Sequence, residues 1–188
     1  MGYTAKQKGA IGVKSHRERR TWETAGMLLT LLLGNLLHFV YDWAGQAPWA
    51  AYISAVNEST WEHMKLLAVP WLLWTAATVL IERRADCAAP RAAGLLTGLV
   101  LIPALFYTYT GICGKSVDVV NVLIFQAAVL AAWLVSSGLQ KRSSLSAPLW
   151  QGLGILVQLA AAAAFIVWTA SPPELPLFVD PTNGTRGV

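Results

Sequence analysis

The sequence predicts an all-α protein: an integral membrane bundle of five transmembrane helices, N-terminus inside and C-terminus outside. Three observations lead there. Charged residues make up only 13% of the 188-residue chain and hydrophobic residues 55%, against roughly 25% charged in soluble domains. The mean hydropathy is +0.50, and the apolar residues fall into five runs near the ~20 residues that a spanning helix needs. Lysine and arginine also gather in alternate connecting segments, as cytoplasmic loops do.

Residues 1–20 form a basic arm, with Lys6, Lys8, Lys14, Arg17, Arg19 and Arg20 against Glu18. Glycine-bearing and without periodicity, it reads as a flexible cytoplasmic segment drawn to anionic headgroups. It is too short and too poor in aromatics to indicate nucleic-acid binding. The membrane domain, 21–171, opens with an apolar run from Trp22 to Tyr41. This is longer than a signal-peptide core and contains Asn35 and His38, so it reads as an uncleaved first span. The loop 42–59 has turn residues Gly45 and Pro48, and aromatics Trp43, Trp49 and Tyr52 suited to headgroup level.

The second span runs from Thr60 to Ile81, with a kink expected at Pro70, which removes a backbone hydrogen bond. A charged loop ends at Pro90, which suits the entrance of a helix. The third span, Ala92 to Thr110, contains Pro103, and a turn from Gly111 to Lys115 leads to the fourth, Ser116 to Ser137. After a polar loop the fifth runs from Pro148 to Thr169, its Ala160–Ala164 run permitting close approach of another helix. The tail, 172–188, is stiffened by Pro172, Pro173 and Pro176. Leu177 and Phe178 are apolar enough to fold back on the bundle, and Asp180 to Gly184 reads as a turn.

Five spans put the termini on opposite sides. With the N-terminus cytoplasmic, 11 of the 14 Lys and Arg fall inside, and Lys65, Lys115 and Arg186 fall outside, as the positive-inside rule requires. The chain is thus expected as a multi-pass protein of the cell membrane with the lipid bilayer as its partner. Cys87 and Cys113 lie in loops on opposite sides, which excludes a disulfide between them within one chain, and no CxxC is present.

This topology gathers the ionisable side chains at the outer face, centred on the block Val56-Asn57-Glu58-Ser59-Thr60-Trp61-Glu62-His63-Met64-Lys65. The inner half is expected to be nearly pure hydrocarbon. Asn35, His38 and Asp42 share one helix face by their spacing, with Asn35 about 10 Å deeper than Asp42. Unpaired ionisable groups at such depth are disfavoured facing lipid. His38, Glu58, Glu62, His63, Asp118 and Asp180 are therefore expected to meet in one water-accessible cavity beneath the outer interface.

Structural roles compete with functional ones here. Ser59-x-x-Glu62 fits a capping box, Asp118 suits the positive end of the fourth helix, and Lys65 can pair with Glu62 or snorkel outward. Functionally, His38, His63 and Asp42 are candidate ligands for a divalent, zinc-like metal. Glu62, Glu58 and Asp118 are candidates for catalytic acid–base work. Asn57, Lys65, Tyr107, Tyr109, Asn121 and Asp180 are candidates for substrate binding. A metal with an open position would activate water against a lipid-like substrate, making the protein a hydrolase.

Two other readings stay open: a non-catalytic component that binds or transports a small molecule or lipid, and a haem protein with His38 and His63 as axial ligands. No HExxH motif is present. Neither repeat symmetry nor polar residues through the inner half, both expected of a transporter, are seen.

His38-x-x-Tyr41-Asp42-Trp43-x-Gly45 and the VNESxWEHxK block resemble an uncharacterised family of small bacterial multi-pass membrane proteins, known only as a domain of unknown function. Tyr107-x-Tyr109-Thr110-Gly111-Ile112 and Pro172-Pro173-x-x-Pro176-Leu177-Phe178-x-Asp180-Pro181 are similar to its later motifs. The likeness spans roughly residues 25–184, and Thr182 to Gly187 departs from the family's usual ending. The resemblance implies a five-helix fold in a bacterial inner membrane. It implies no activity, cofactor or substrate.

Overall fold

The computed structural model describes residues 16–187. The described chain is helical, without strands: α1 (His16–Trp43), α2 (Pro48–Ala51), α3 (Thr60–Leu80), α4 (Ala88–Cys113), α5 (Asp118–Leu139) and α6 (Pro148–Ala170). All except the single-turn α2 are long and apolar enough to cross a membrane. Short 3₁₀ turns at Ala85–Cys87, Ser143–Ser146 and Pro176–Phe178 complete the path.

Helix ends follow local chemistry. α1 begins at His16, inside the arm expected to be flexible; residues 1–15 of that arm lie outside the described residues. Arginine and glutamate are good helix formers, and the Thr21 hydroxyl donates to the Arg17 carbonyl at 3.1 Å. α4 starts earlier than the composition suggests, with Pro90 in its first turn, where a missing N–H leaves no helical bond unmade. It then runs through the expected turn and stops at Gly114. That residue takes φ +70° and donates its N–H to the Thr110 carbonyl at 2.8 Å, a left-handed cap suited to glycine.

α4 lies against α3, α5 and α6, while α1 lies against α3 and α5. Trp71 and Trp133, with ring centroids 4.8 Å apart, fill the centre beside Leu67, Leu95, Ala128 and Ala132. A Cβ on Gly34 would run into the Phe125 ring, so glycine lets α1 close on α5 there.

The exposed surface is apolar and the interior carries charge. Leu32 and Leu134 are 72% exposed, whereas Glu62, Lys65 and Arg91 are buried. That inversion suits hydrocarbon surroundings, where polar groups must turn inward.

The end of the bundle away from the VNES block is not the hydrocarbon that composition suggests. Arg91 is buried there, 2.9 Å from a Glu23 carboxylate oxygen, with its guanidinium 4.2 Å from the Trp133 ring centroid. Because α4 begins at Ala88, Arg91 sits in its first turn rather than in the preceding loop, and this turns it into the core.

At the other end the tail packs on the bundle. Phe178 and Phe165 flank Trp61 with ring centroids 4.7 and 4.4 Å away.

Candidate functional site

The site is built on the chain that enters α3. Ser59 is extended and caps α3, its hydroxyl accepting from the Glu62 N–H at 3.4 Å. The Glu62 carboxylate does not reach back to Ser59. One of its oxygens accepts from Lys65 Nζ at 2.6 Å and from the Val56 N–H at 3.1 Å. Lys65 also donates to the carbonyls of Ala51 at 2.7 Å and Ser54 at 3.3 Å. These bonds fasten residues 51–56 to α3. The Ser59 N–H donates to Asn57 Oδ1 at 3.0 Å, an Asx turn that holds Glu58 at its apex.

Glu58 meets both imidazoles. One carboxylate oxygen lies 3.6 Å from His38 Nε2 and the other 3.6 Å from His63 Nε2. The ring centroids are 5.4 Å apart, and one donor atom from each residue fits within 4.8 Å of the others. Metal–nitrogen and metal–oxygen bonds near 2.0–2.2 Å put tetrahedral neighbours about 3.3–3.5 Å apart. The two 3.6 Å separations, each to a different Glu58 oxygen, are close to that spacing, while the set with one donor atom per residue lies within 4.8 Å and would draw together around an ion.

The other face of His63 sharpens this. Its Nδ1 lies 2.9 Å from the Ser59 carbonyl oxygen, which can only accept, so Nδ1 carries the hydrogen. In the neutral ring Nε2 then presents a lone pair to the Glu58 carboxylate. Two acceptors facing each other repel unless a cation stands between them, whether a metal ion or a proton on the ring. A backbone carbonyl holding the distal nitrogen is also how metal-bound histidines are commonly oriented.

This cluster forms one end of a cavity of about 760 Å³ between α1, α3, α4 and α5, within the ~300–1,000 Å³ of ligand-sized pockets. Its deeper walls are apolar, from Gly34, Leu66, Ile102, Phe106 and Phe125, while Asp118, Asn121 and Thr182 join the histidines in lining it.

A family model described as a family of unknown function, DUF6512, matches residues 11–188. The chain belongs to this family. No curated protein and no solved structure matches it.

In this DUF6512 chain the site candidates divide. His38, Glu58 and His63 come together, and Asp118 and Asn121 line the same cavity. Asp42 stands exposed near the end of α1, outside the cluster, because its i+4 spacing from His38 carries it past the level of Glu58. Glu62 and Lys65 are taken up by each other and by the loop.

Asp180 is buried and anchors rather than lines. Its Oδ2 accepts from the Glu58 N–H at 3.1 Å and its Oδ1 from the Thr182 N–H at 2.7 Å. Burial pushes its carboxyl up, but hydrogen bonds from the Thr182 hydroxyl and from the Glu58, Thr182 and Asn183 N–H groups outweigh that and hold it below the ordinary value. Asn57 Nδ2 reaches the Gly187 carbonyl at 3.4 Å, so the tail is tied down at two adjacent residues of the block. Tyr109 donates its hydroxyl to Asn121 Oδ1 and accepts from the Val117 N–H at 3.1 Å, bracing the α4–α5 turn. Tyr107 is exposed and meets Thr60 at 3.5 Å.

Sequence reasoning missed the apolar walls. Leu66, Ile102 and Phe125 are ordinary core residues in any span, and no local signal separates cavity lining from helix contact.

Proposed function

We propose that His38, Glu58 and His63 bind a divalent, zinc-like ion at the outer face of a membrane-embedded protein, and that this centre hydrolyses a lipid-like substrate seated in the adjoining cavity. The observation that carries the reading is the His63 ring. Its Nδ1 is committed to the Ser59 carbonyl and its Nε2 is aimed at Glu58.

Three protein ligands leave one position of a tetrahedral ion open, the pattern of catalytic rather than structural sites. When bound, the ion supplies Lewis acidity toward a carbonyl and lowers the pKa of water. In the reaction, water oxygen adds to the acyl carbon and the bond from that carbon to the leaving oxygen or nitrogen breaks. The water proton passes to the leaving group, with Asp118 the lining carboxylate outside the ligand set that can carry it. The haem reading has less support, because Glu58 stands beside both Nε2 atoms where a porphyrin plane would have to pass.

The purified protein should hydrolyse a chromogenic long-chain ester in the presence of zinc, stop on chelation, and recover when zinc is restored. His63→Ala should be inactive. Ester binding without turnover in the zinc-loaded protein would instead favour the non-catalytic binding component.

The distribution of lysine and arginine supports a cytoplasmic N-terminus and an outward-facing site. Cys113, exposed at the end of α4, should react with an impermeant maleimide added to intact cells; labelling only after lysis would reverse the orientation. Cys87 is no control for sidedness. It is buried, which raises its thiol pKa, and it donates to the Arg84 carbonyl at 3.0 Å, so it should stay silent from either side.

A further inference from the structure

We propose that the cavity takes a lipid whose head is uncharged and oxygen-bearing, an ester, amide or hydroxyl group on a hydrocarbon chain, and rejects lipids with a phosphate head. This deepens the hydrolase reading and rests on it for the ion.

The inference follows from which charges line the cavity. Among the described residues its charged groups beyond histidine are Glu58 and Asp118, and no lysine or arginine lines it. Lys65, adjacent to the lining Leu66, is buried and committed to Glu62 and two loop carbonyls, and Lys115, adjacent to the lining Ser116, is exposed and is not among the lining residues. With a divalent ion in place the two carboxylates balance its charge, so the polar end is neutral. A phosphomonoester head would add about −1.5 to −2 beside Asp118, with no lysine or arginine among the lining residues to offset it. Buried phosphate recognition ordinarily recruits arginine or lysine.

An uncharged carbonyl needs no such partner. It can meet the ion, while Asn121, Ser116 and Thr182 offer hydrogen bonds to hydroxyls. The chain end also fits. Leu66, Ile102, Phe106 and Phe125 supply an apolar wall leading away from the cluster toward the bundle interior.

The test uses the full-length protein in detergent, loaded with zinc, and two probes with the same chain: monooleoylglycerol and oleoyl lysophosphatidate. Binding is read by native mass spectrometry, and zinc content is measured on the same samples. Monooleoylglycerol should bind at least tenfold tighter. Val122→Trp should weaken it tenfold or more while leaving zinc content unchanged, since Val122 lines the cavity but is half exposed and so tolerates a larger side chain. Equal or tighter binding of lysophosphatidate, or monooleoylglycerol binding indifferent to Val122→Trp, would overturn the proposal. Absence of zinc from the loaded sample defeats the metal reading instead. The preference for the uncharged head is then read on that metal-free protein, where two unbalanced carboxylates should exclude the phosphate more strongly still.

Discussion

Glu58 and Glu62 are the same residue type, four residues apart on either side of the α3 cap, yet their surroundings give them opposite tasks. Glu62 is buried, and its neighbours form a closed set: an ammonium, a backbone N–H, and the two carbonyls that share that ammonium. Glu58 has its side chain 47% exposed, and its carboxylate faces two imidazole nitrogens beyond hydrogen-bond distance. A buried charge whose partners are complete is scaffolding. A carboxylate aimed with two imidazoles at a common gap, beside a cavity, is poised to bind. Charge and burial alone would have ranked Glu62 first; the completeness of its partners reverses that order.

The largest expected effect comes from breaking the closed set. Lys65→Met would strand the Glu62 carboxylate in the interior, at a cost of about 3–5 kcal/mol. The double change Glu62→Leu with Lys65→Met removes both charges and should cost less than the single one. Unfolding in detergent measures both. A double variant no more stable than the single one would show that the pair does not act as a unit. Zinc content of the folded fraction should also fall in both variants, because residues 51–59, which carry Glu58 to the imidazoles, lose the ammonium that holds the Ala51 and Ser54 carbonyls.

A smaller effect is expected at Asp180, which ties the tail to the Glu58 N–H. Asp180→Asn keeps an acceptor but removes the charge, and should cost about 1–2 kcal/mol, toward the low end of the ~1.5–3 kcal/mol of a hydrogen bond to a charged group because an acceptor remains. The sign with pH follows from its depressed carboxyl. Stability contributed by this group is fully present above its ordinary value of 3.8 and is lost as pH falls through the lower folded value. The gap between wild type and Asp180→Asn should therefore hold at neutral pH and narrow in acid below about pH 4. A gap that widens in acid would contradict the anchoring role.

Much of the fold is legible in the sequence, since apolar runs and their punctuation mark five long helices directly. The encounter of His38 with the VNES block is also legible, through topology. Two ionisable segments at one depth on one side have few places to go but toward each other.

What the sequence does not carry is the division of labour inside the block. Asp42, placed with His38 by helical spacing, is a natural companion ligand, whereas the structure brings Glu58 to the imidazoles. That depends on how residues 51–59 fold, and hence on the Ala51 and Ser54 carbonyls receiving Lys65. Such backbone partners have no sequence signature. Arg91 is similar: its burial turns on α4 starting at Ala88, and helix boundaries are the part of a sequence reading least fixed by periodicity.

The central claim, that His38, Glu58 and His63 form a metal site while Glu62 does not, is tested most directly by metal content. Elemental analysis of zinc-loaded protein after exhaustive desalting should find one zinc per wild-type chain. His63→Ala and Glu58→Gln should each retain less than a tenth of that while remaining folded. Asp42→Asn should match wild type, since the Asp42 carboxylate lies outside the cluster. Wild-type protein that retains no divalent metal, or Glu58→Gln that retains a full equivalent, would contradict the account.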